Sequence, residues 1–372
     1  MNGPINVVVI DDSAFMRKSL TLMLESDPQI RVVGTARDGR DGVDKVRKLN
    51  PDVVTLDVEM PGLDGLAALK IIMREMPVPV LMVSSLTSEG AEATLEALNL
   101  GAVDFISKDL SYVSVDILKI KEELIAKVKE IATSRYARLR YQALGSSRHA
   151  VRDTEEISQS RVRIPSILQE NLEAVVLGVS TGGPLALLQI IPKLPADFPI
   201  GIAIVQHMPP HFTRTLSERL NSLSKVAVKE AEHGELMEPG KVLIAPGGKH
   251  LLFSRGHGAM QVIISEEPRT TIFRPSVDVM MRSAVEAAHG PLLGVIMTGM
   301  GKDGLDSLRL IKRKGGYIIA QDEESCVVYG MPRAAVEDGI ADTVVPLMEI
   351  PDALIRLANI RTAPVSSKVI AG

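Results

Sequence analysis

Residues 5–25 read INVVVIDDSAFMRKSLTLMLE. The first six form a short apolar run rich in Val and Ile, which predicts a buried strand over Ile5–Ile10. Two carboxylates follow, Asp11 and Asp12, and then a helix-period stretch from Ala14 to Glu25. Asp12 or Ser13 suits the cap of that helix. Strand, acidic turn and helix make one βα unit, and the pattern repeats. Apolar runs recur at Ile30–Val33, Val53–Leu56, Val78–Val83 and Asp104–Ile106. Amphipathic stretches follow at Gly39–Leu49, Gly65–Glu75, Ser88–Leu98 and Val115–Ile131. Five βα units in a row imply an open parallel sheet with helices on both faces.

Ligands of such sheets lie beyond the carboxyl ends of the strands. There the sequence puts Asp11 and Asp12, Asp57, Ser84 and Ser85, and Ser107 and Lys108. Three carboxylates at one edge repel one another, so the cluster calls for a cation. Hard oxygens with open positions suit Mg²⁺. Lys108 is placed to hold a phosphate oxygen as a point charge, and Asp57 to act as a nucleophile toward phosphorus. A lone Asp at a strand end is usually a turn or cap residue; the combination is what carries the reading.

On these residues, together with Met60-Pro61-Gly62, the segment 5–130 resembles a response-regulator receiver domain. The resemblance implies a flavodoxin-like, five-stranded parallel fold. It also implies that Asp57 takes phosphate from a histidine kinase, with Mg²⁺ at Asp11, Asp12 and Asp57 and support from Ser84 and Lys108. Phe105 occupies the aromatic position used in switching. The chain departs from the pattern at Asp109, where receivers usually carry Pro.

Between about 134 and 168 the periodicity fades, and Arg135, Arg138, Arg140, Arg148, Arg152, Arg161 and Arg163 stand among Ser, Gln and small residues. A solvated tether and a basic docking segment are both open, and scattered Arg favours the tether. Alternation resumes at Leu172. Strand-like runs lie at Ala174–Leu177, Ile200–Val205, Lys241–Ala245, Gln261–Ile264, Leu292–Met297 and Tyr317–Ala320. Helical stretches lie at Pro184–Leu194, Pro210–Ser222, Val277–His289 and Leu305–Lys314. This predicts a second, doubly wound, mostly parallel α/β unit. The expected division is 1–131, a linker over 132–168, a second domain over 169–361 and a tail over 362–372.

Within the second unit, Gly178-Val-Ser180-Thr-Gly182 fits G-x-S-x-G between a strand and a helix. Small residues at such a turn let a serine stand exposed at the sheet edge, facing a helix N-terminus. A dinucleotide loop fails because G-x-G-x-x-G is missing at this turn. A plain phosphate-binding turn stays open. A nucleophilic serine needs a base, and His207 follows a strand at the same edge; His250 is its main rival. Asp303, in the Gly-rich run Thr298–Gly304, is placed to orient the imidazole, with Asp322 as the rival acid. Free amides of that run could stabilise an oxyanion. The order Ser, His, Asp is not that of the α/β-hydrolases.

Together with Gln206-His207-Met208-Pro209, Ala245-Pro246-Gly247, Arg274-Pro275-Ser276-Val277-Asp278 and Gly330-Met331-Pro332, these runs resemble the catalytic domain of the chemotaxis-specific protein-glutamate methylesterases. That family joins such a domain to an N-terminal receiver in this order. The resemblance implies Ser180 as nucleophile, His207 as base, Asp303 as orienter and the Met300 amide in the oxyanion hole. It implies hydrolysis of glutamyl methyl esters on chemoreceptors to methanol, and deamidation of receptor glutamines, with no cofactor for the esterase step. The unphosphorylated receiver would partly cover the active edge.

Composition bounds the alternatives. The chain has 372 residues, 45 % apolar and 24 % charged, with a net charge of −4, which argues against bulk nucleic-acid binding. A transcription regulator is further disfavoured by the many strands and the lack of a compact basic helix; a non-catalytic regulator that acts by binding a partner is the other alternative. Cys326 is alone, so no internal disulfide forms. No apolar run reaches the ~20 residues of a membrane span. With no basic leader before an apolar run, the expectation is a cytoplasmic protein without membrane insertion.

Overall fold

Valines and isoleucines with no exposed face dictate the architecture. The computed structural model describes residues 3–108, 114–134, 172–256 and 259–358. The first sheet is built from β1 (Ile5–Ile10), β2 (Ile30–Ala36), β3 (Val53–Asp57), β4 (Val80–Ser84) and β5 (Asp104–Ser107), in the order β2-β1-β3-β4-β5. All its pairings are parallel. Val7, Val8, Val9 and Ile10 are fully buried because helices cover both faces. Those helices are α1 (Ala14–Leu24), α2 (Gly39–Leu49), α3 (Gly65–Glu75), α4 (Ser88–Leu100) and α5 (Ser114–Thr133). Each of the first four starts at a side-chain cap: Ser13, Asp38, Asp64 and Thr87 accept from the amide three residues on. Of the two candidates at the first cap, Ser13 is the one used.

The second sheet has seven strands in the order β14-β13-β12-β6-β7-β9-β8, every pair parallel. They are β6 (Ala174–Val179), β7 (Gly201–Gln206), β8 (Ala227–Glu230), β9 (Lys241–Ile244), β12 (Leu292–Ile296), β13 (Tyr317–Gln321) and β14 (Thr343–Val345). A separate antiparallel hairpin pairs β10 (His250–Gly256) with β11 (Ala259–Ser265). The helices are α6 (Gly183–Ile190), α7 (Phe212–Leu223), α8 (Val277–Ala287), α9 (Leu305–Arg313), α10 (Met331–Glu337) and α11 (Ile350–Ala358).

All eleven predicted strands and nine predicted helices have counterparts. Three strands lack the expected signal. β8 and β14 are sheet edges of four and three residues, too short for a pattern. The third is β10: His250 follows the turn after β9, opens β10 and is fully buried. The short α10 and the C-terminal α11 also lacked an assignment. Asp109, the arginines from 135 to 163, His149, His257 and the tail lie outside the described residues.

The two units touch. Phe105 on β5 stacks on Phe212, the first residue of α7, with ring centroids 4.5 Å apart and planes 5° from parallel. Buried residues of α4, including Leu95 and Leu98, join a core cluster that continues into Leu187, Phe212 and Leu216. Lys127 on α5 donates to the Phe105 carbonyl at 2.7 Å and to Asp104 at 2.8 Å, fixing β5 from behind. Phe212→Ala should remove about 3–5 kcal/mol of stability, read as a lower urea midpoint for the full chain.

Candidate functional site

Both sheets change winding direction beside a central strand, and both candidate sites form there. In the first sheet β1 lies beside β3, so Asp11 and Asp57 face each other. Oxygens of Asp11, Asp12 and Asp57 lie within 4.8 Å of one another. Asp11 and Asp57 are buried and Asp12 is exposed. Lys108 Nζ stands 2.5 Å from Asp57 Oδ2 and 3.1 Å from Asp11 Oδ2. Beyond that ammonium, both carboxylate oxygens are without a partner among the described residues. Two buried anionic oxygens that share a single ammonium, beside a third, exposed carboxylate, fit a divalent cation with water-facing positions. Ser84, by contrast, donates to the Gly90 carbonyl at 3.1 Å, not to a carboxylate.

Burial, together with the neighbouring Asp11 charge, pushes Asp57 up to about 6, against the Lys108 contact and the Glu59 amide. For Lys108 burial works downward, but the Asp57 and Asp11 charges outweigh it and hold the ammonium above its ordinary range.

In the second sheet β6 is flanked by β7 and β12. Register pairs Val179 with Gln206, so Ser180 and His207 are the next residues on adjacent strands. The serine turn is tied on both sides. Gln206 Nε2 donates to the Ser180 carbonyl at 3.0 Å, and the Ser180 amide donates to the Thr298 carbonyl at 2.9 Å. Thr298 in turn donates to the Thr181 carbonyl at 2.8 Å and is held by Gln321. Gly182 turns the chain at φ 75°, open to glycine without strain. Gly299 must lack a side chain, because a Cβ there would come within 2.7 Å of Ser180 Cβ.

His207 Nε2 meets Asp303 Oδ2 at 2.8 Å, and the ring stacks on Phe273 at 4.1 Å and 9°. His207 Nδ1 is buried with no partner among the described residues. Asp303 does not cap its own helix; it caps α8. The amides of Val277 (2.7 Å) and Asp278 (3.0 Å) and the Ser276 hydroxyl (3.0 Å) all donate to it. Burial raises the carboxyl's pKa, but the His207 bond and the two amides overcome that and keep it below the usual carboxylate value. The helix N-terminus adds to the same effect. The amides of Thr181 and Met300 donate to no acceptor among the described residues.

The structure thus brings Ser180, His207, Asp303 and Met300 to one edge. The rivals are engaged elsewhere. His250 accepts the Ser276 amide at 3.3 Å and contacts the Pro268 carbonyl and Thr271. Burial lowers its pKa. Asp322 accepts from the amide and hydroxyl of Ser325, closing a turn. Sequence reasoning assigned no role to Gln206, Phe273, Ser276, Thr181 or Gln321. Gln206 and Ser276 stood inside quoted motifs; nothing in the sequence pointed to the Phe273 stack.

Comparison with known proteins agrees in both halves. Residues 175–354 match the family model described as CheB methylesterase, and 7–116 the response regulator receiver domain model. A protein-glutamate methylesterase/protein-glutamine glutaminase of Oleidesulfovibrio alaskensis is 49 % identical over 362 residues, covering 94 % of this chain and 98 % of that one. One from Pyrococcus horikoshii is 45 % identical, covering 97 % and 95 %. The crystal structure of the Thermotoga maritima CheB methylesterase catalytic domain has 46 % identity and a TM-score of 0.49, covering 50 % of this chain and all of that one.

The Asp57 geometry fixes a pH response. The folded-state value of about 6 lies above the ordinary 3.8. Stability tied to this group is therefore full below the ordinary value and is lost as pH rises through about 6. With chelator present, the melting temperature should fall over that window, and Asp57→Asn should reduce the fall by about 2–4 °C.

Proposed function

The chain belongs to the CheB methylesterase family, and we propose from that premise that it is a phosphorylation-regulated serine hydrolase acting on chemoreceptors. It hydrolyses glutamyl methyl esters to glutamate and methanol, and glutamine side chains to glutamate and ammonia. The single observation that carries the reading is the buried His207–Asp303 bond at 2.8 Å on the strand next to Ser180.

Ser180 Oγ attacks the side-chain carbonyl carbon and gives its proton to His207. Because Nε2 is held by Asp303, the receiving atom is Nδ1, the nitrogen without a partner. The oxyanion forms toward the amides of Met300 and Thr181. Its collapse expels methanol or ammonia, which takes the proton back from the imidazole. Water then attacks the acyl-enzyme with His207 again as base, and the carboxylate leaves with Ser180 restored. Asp303 holds the tautomer and faces the imidazolium that forms.

In the receiver, Asp57 takes the phosphoryl group from a histidine kinase. Asp11, Asp12 and Asp57 would hold Mg²⁺, which would supply positive charge to offset that of an incoming phosphate. Lys108 meets a phosphate oxygen, and Ser84 would leave the Gly90 carbonyl to do the same. The receiver spans 1–131 and the esterase 169–361, with α5 running on to Thr133. Phosphorylation loosens the packing of α4 and β5 on α6 and α7, opening the esterase edge. Among the described residues, no helix is long and apolar enough to cross a membrane.

Methanol release from methylated receptor membranes tests this directly. Ser180→Ala should lose on the order of 10⁶ in kcat, and near-normal release would refute the nucleophile. Asp303→Asn should lose roughly 10⁴-fold; a comparable loss in Asp322→Asn instead would move the acid. Mg²⁺ should raise the melting temperature of the wild type and leave that of Asp57→Asn unmoved.

A further inference from the structure

The loop between β11 and α8 holds a cation with nothing to hold. Arg274 Nε is buried and has no hydrogen-bond partner, and its guanidinium makes no ion pair among the described residues. The other half-buried arginine of the same unit is matched, Arg309 with Asp338, whereas Arg219, Arg282, Arg313 and Arg356, which also form no ion pair among the described residues, are exposed to water. A half-buried guanidinium left unmatched is costly. It is also fixed in place. The preceding residue, Phe273, stacks on His207, and Ser276, two residues on, donates to Asp303. The Arg274 carbonyl accepts the Gly248 amide at 3.0 Å, which joins it to the loop carrying Lys249. Its charge reaches the interior too: after burial, it is among the causes that lower His250.

Two more cations stand on the loops knitted to this one. Lys249 and Lys302 are exposed, and neither forms an ion pair among the described residues. Lys302 immediately precedes Asp303. Glu323, on the neighbouring loop after β13, forms no ion pair with any of the three among the described residues. Three unmatched cations therefore border the Ser180 edge.

The ground-state reacting group explains none of this charge, because a methyl ester or an amide is neutral, and the oxyanion of the reaction faces the Met300 and Thr181 amides instead. We propose that Arg274, assisted by Lys249 and Lys302, is a specificity determinant that reads a free carboxylate on the substrate protein beside the reacting side chain. Arg274 supplies planar, bidentate recognition, and the two lysines supply attraction at longer range. This rests on the esterase reading above and adds an order to it. Each hydrolysis creates a carboxylate, so a first event makes a neighbouring ester a better substrate.

The test uses the full chain with Mg²⁺ and acetyl phosphate, and two methylated receptors in membranes. One carries glutamates next to the esterified position, the other alanines. The readout is the ratio of kcat/KM for methanol release. The wild type should favour the acidic receptor about fivefold at low ionic strength, and the ratio should fall toward one in high salt. Arg274→Gln should collapse the ratio, and Arg274→Lys should restore part of it. Equal kcat/KM for the two receptors in the wild type, or a full ratio in Arg274→Gln, would overturn the inference. Should Arg274→Gln fail to fold by thermal melting, Lys302→Gln and the wild-type salt titration decide: a ratio indifferent to both overturns it. No methanol from either receptor would remove the esterase reading, and this inference with it.

Discussion

A carboxylate seated on the first turn of a helix organises the catalytic half. Asp303 takes the Val277 and Asp278 amides, the Ser276 hydroxyl and the His207 imidazole at once. Four donors and the positive end of α8 keep the group ionised despite its burial. The same bonds lock three segments together: the loop after β12, the start of α8 and the loop after β7. Loss of that carboxylate would therefore loosen the scaffold as well as the imidazole. Phe273 closes the arrangement by covering one face of the ring and fixing its plane, while the Asp303 bond takes Nε2 and leaves Nδ1 without a partner among the described residues.

The receiver site obeys the opposite electrostatics. Asp57 and Asp11 are buried side by side with one ammonium between them, too little positive charge for the carboxylates gathered there. The deficit makes the site receptive to a cation and, through it, to phosphate. In the catalytic half the buried Asp303 carboxylate is fully met, and cationic charge is left over beside it at Arg274, Lys249 and Lys302. Each half thus exposes the charge its partner chemistry lacks.

The link between the halves is aromatic and short. Phe105 stands at the carboxyl edge of the receiver sheet, two residues before Ser107 and three before Lys108, and stacks on Phe212. Phe212 follows His207 by five residues through a Met-Pro-Pro-His turn. His211 in that turn has φ of 70°, a backbone setting unusual for a residue with a side chain. Whatever moves Phe105 thus presses on a stiff, strained segment that ends at the His207 imidazole.

The sequence alone was enough for the two parallel sheets, their order in the chain, and the group of residues at each carboxyl edge. It suffices there because a doubly wound sheet converts position at a strand end into spatial convergence, so a one-dimensional pattern already carries the geometry. Ser180, His207, Asp303 and the Asp11–Asp57–Lys108 cluster were legible for that reason. Edge strands such as β8 and β14 were too short to show a period. His250 lacked a signal separating it from a loop histidine. The bond between His207 Nε2 and Asp303, the Phe273 cover and the unmatched Arg274 came only from the tertiary structure. Each depends on which donors, rings and charges meet across loops distant in sequence, and no local pattern encodes such meetings.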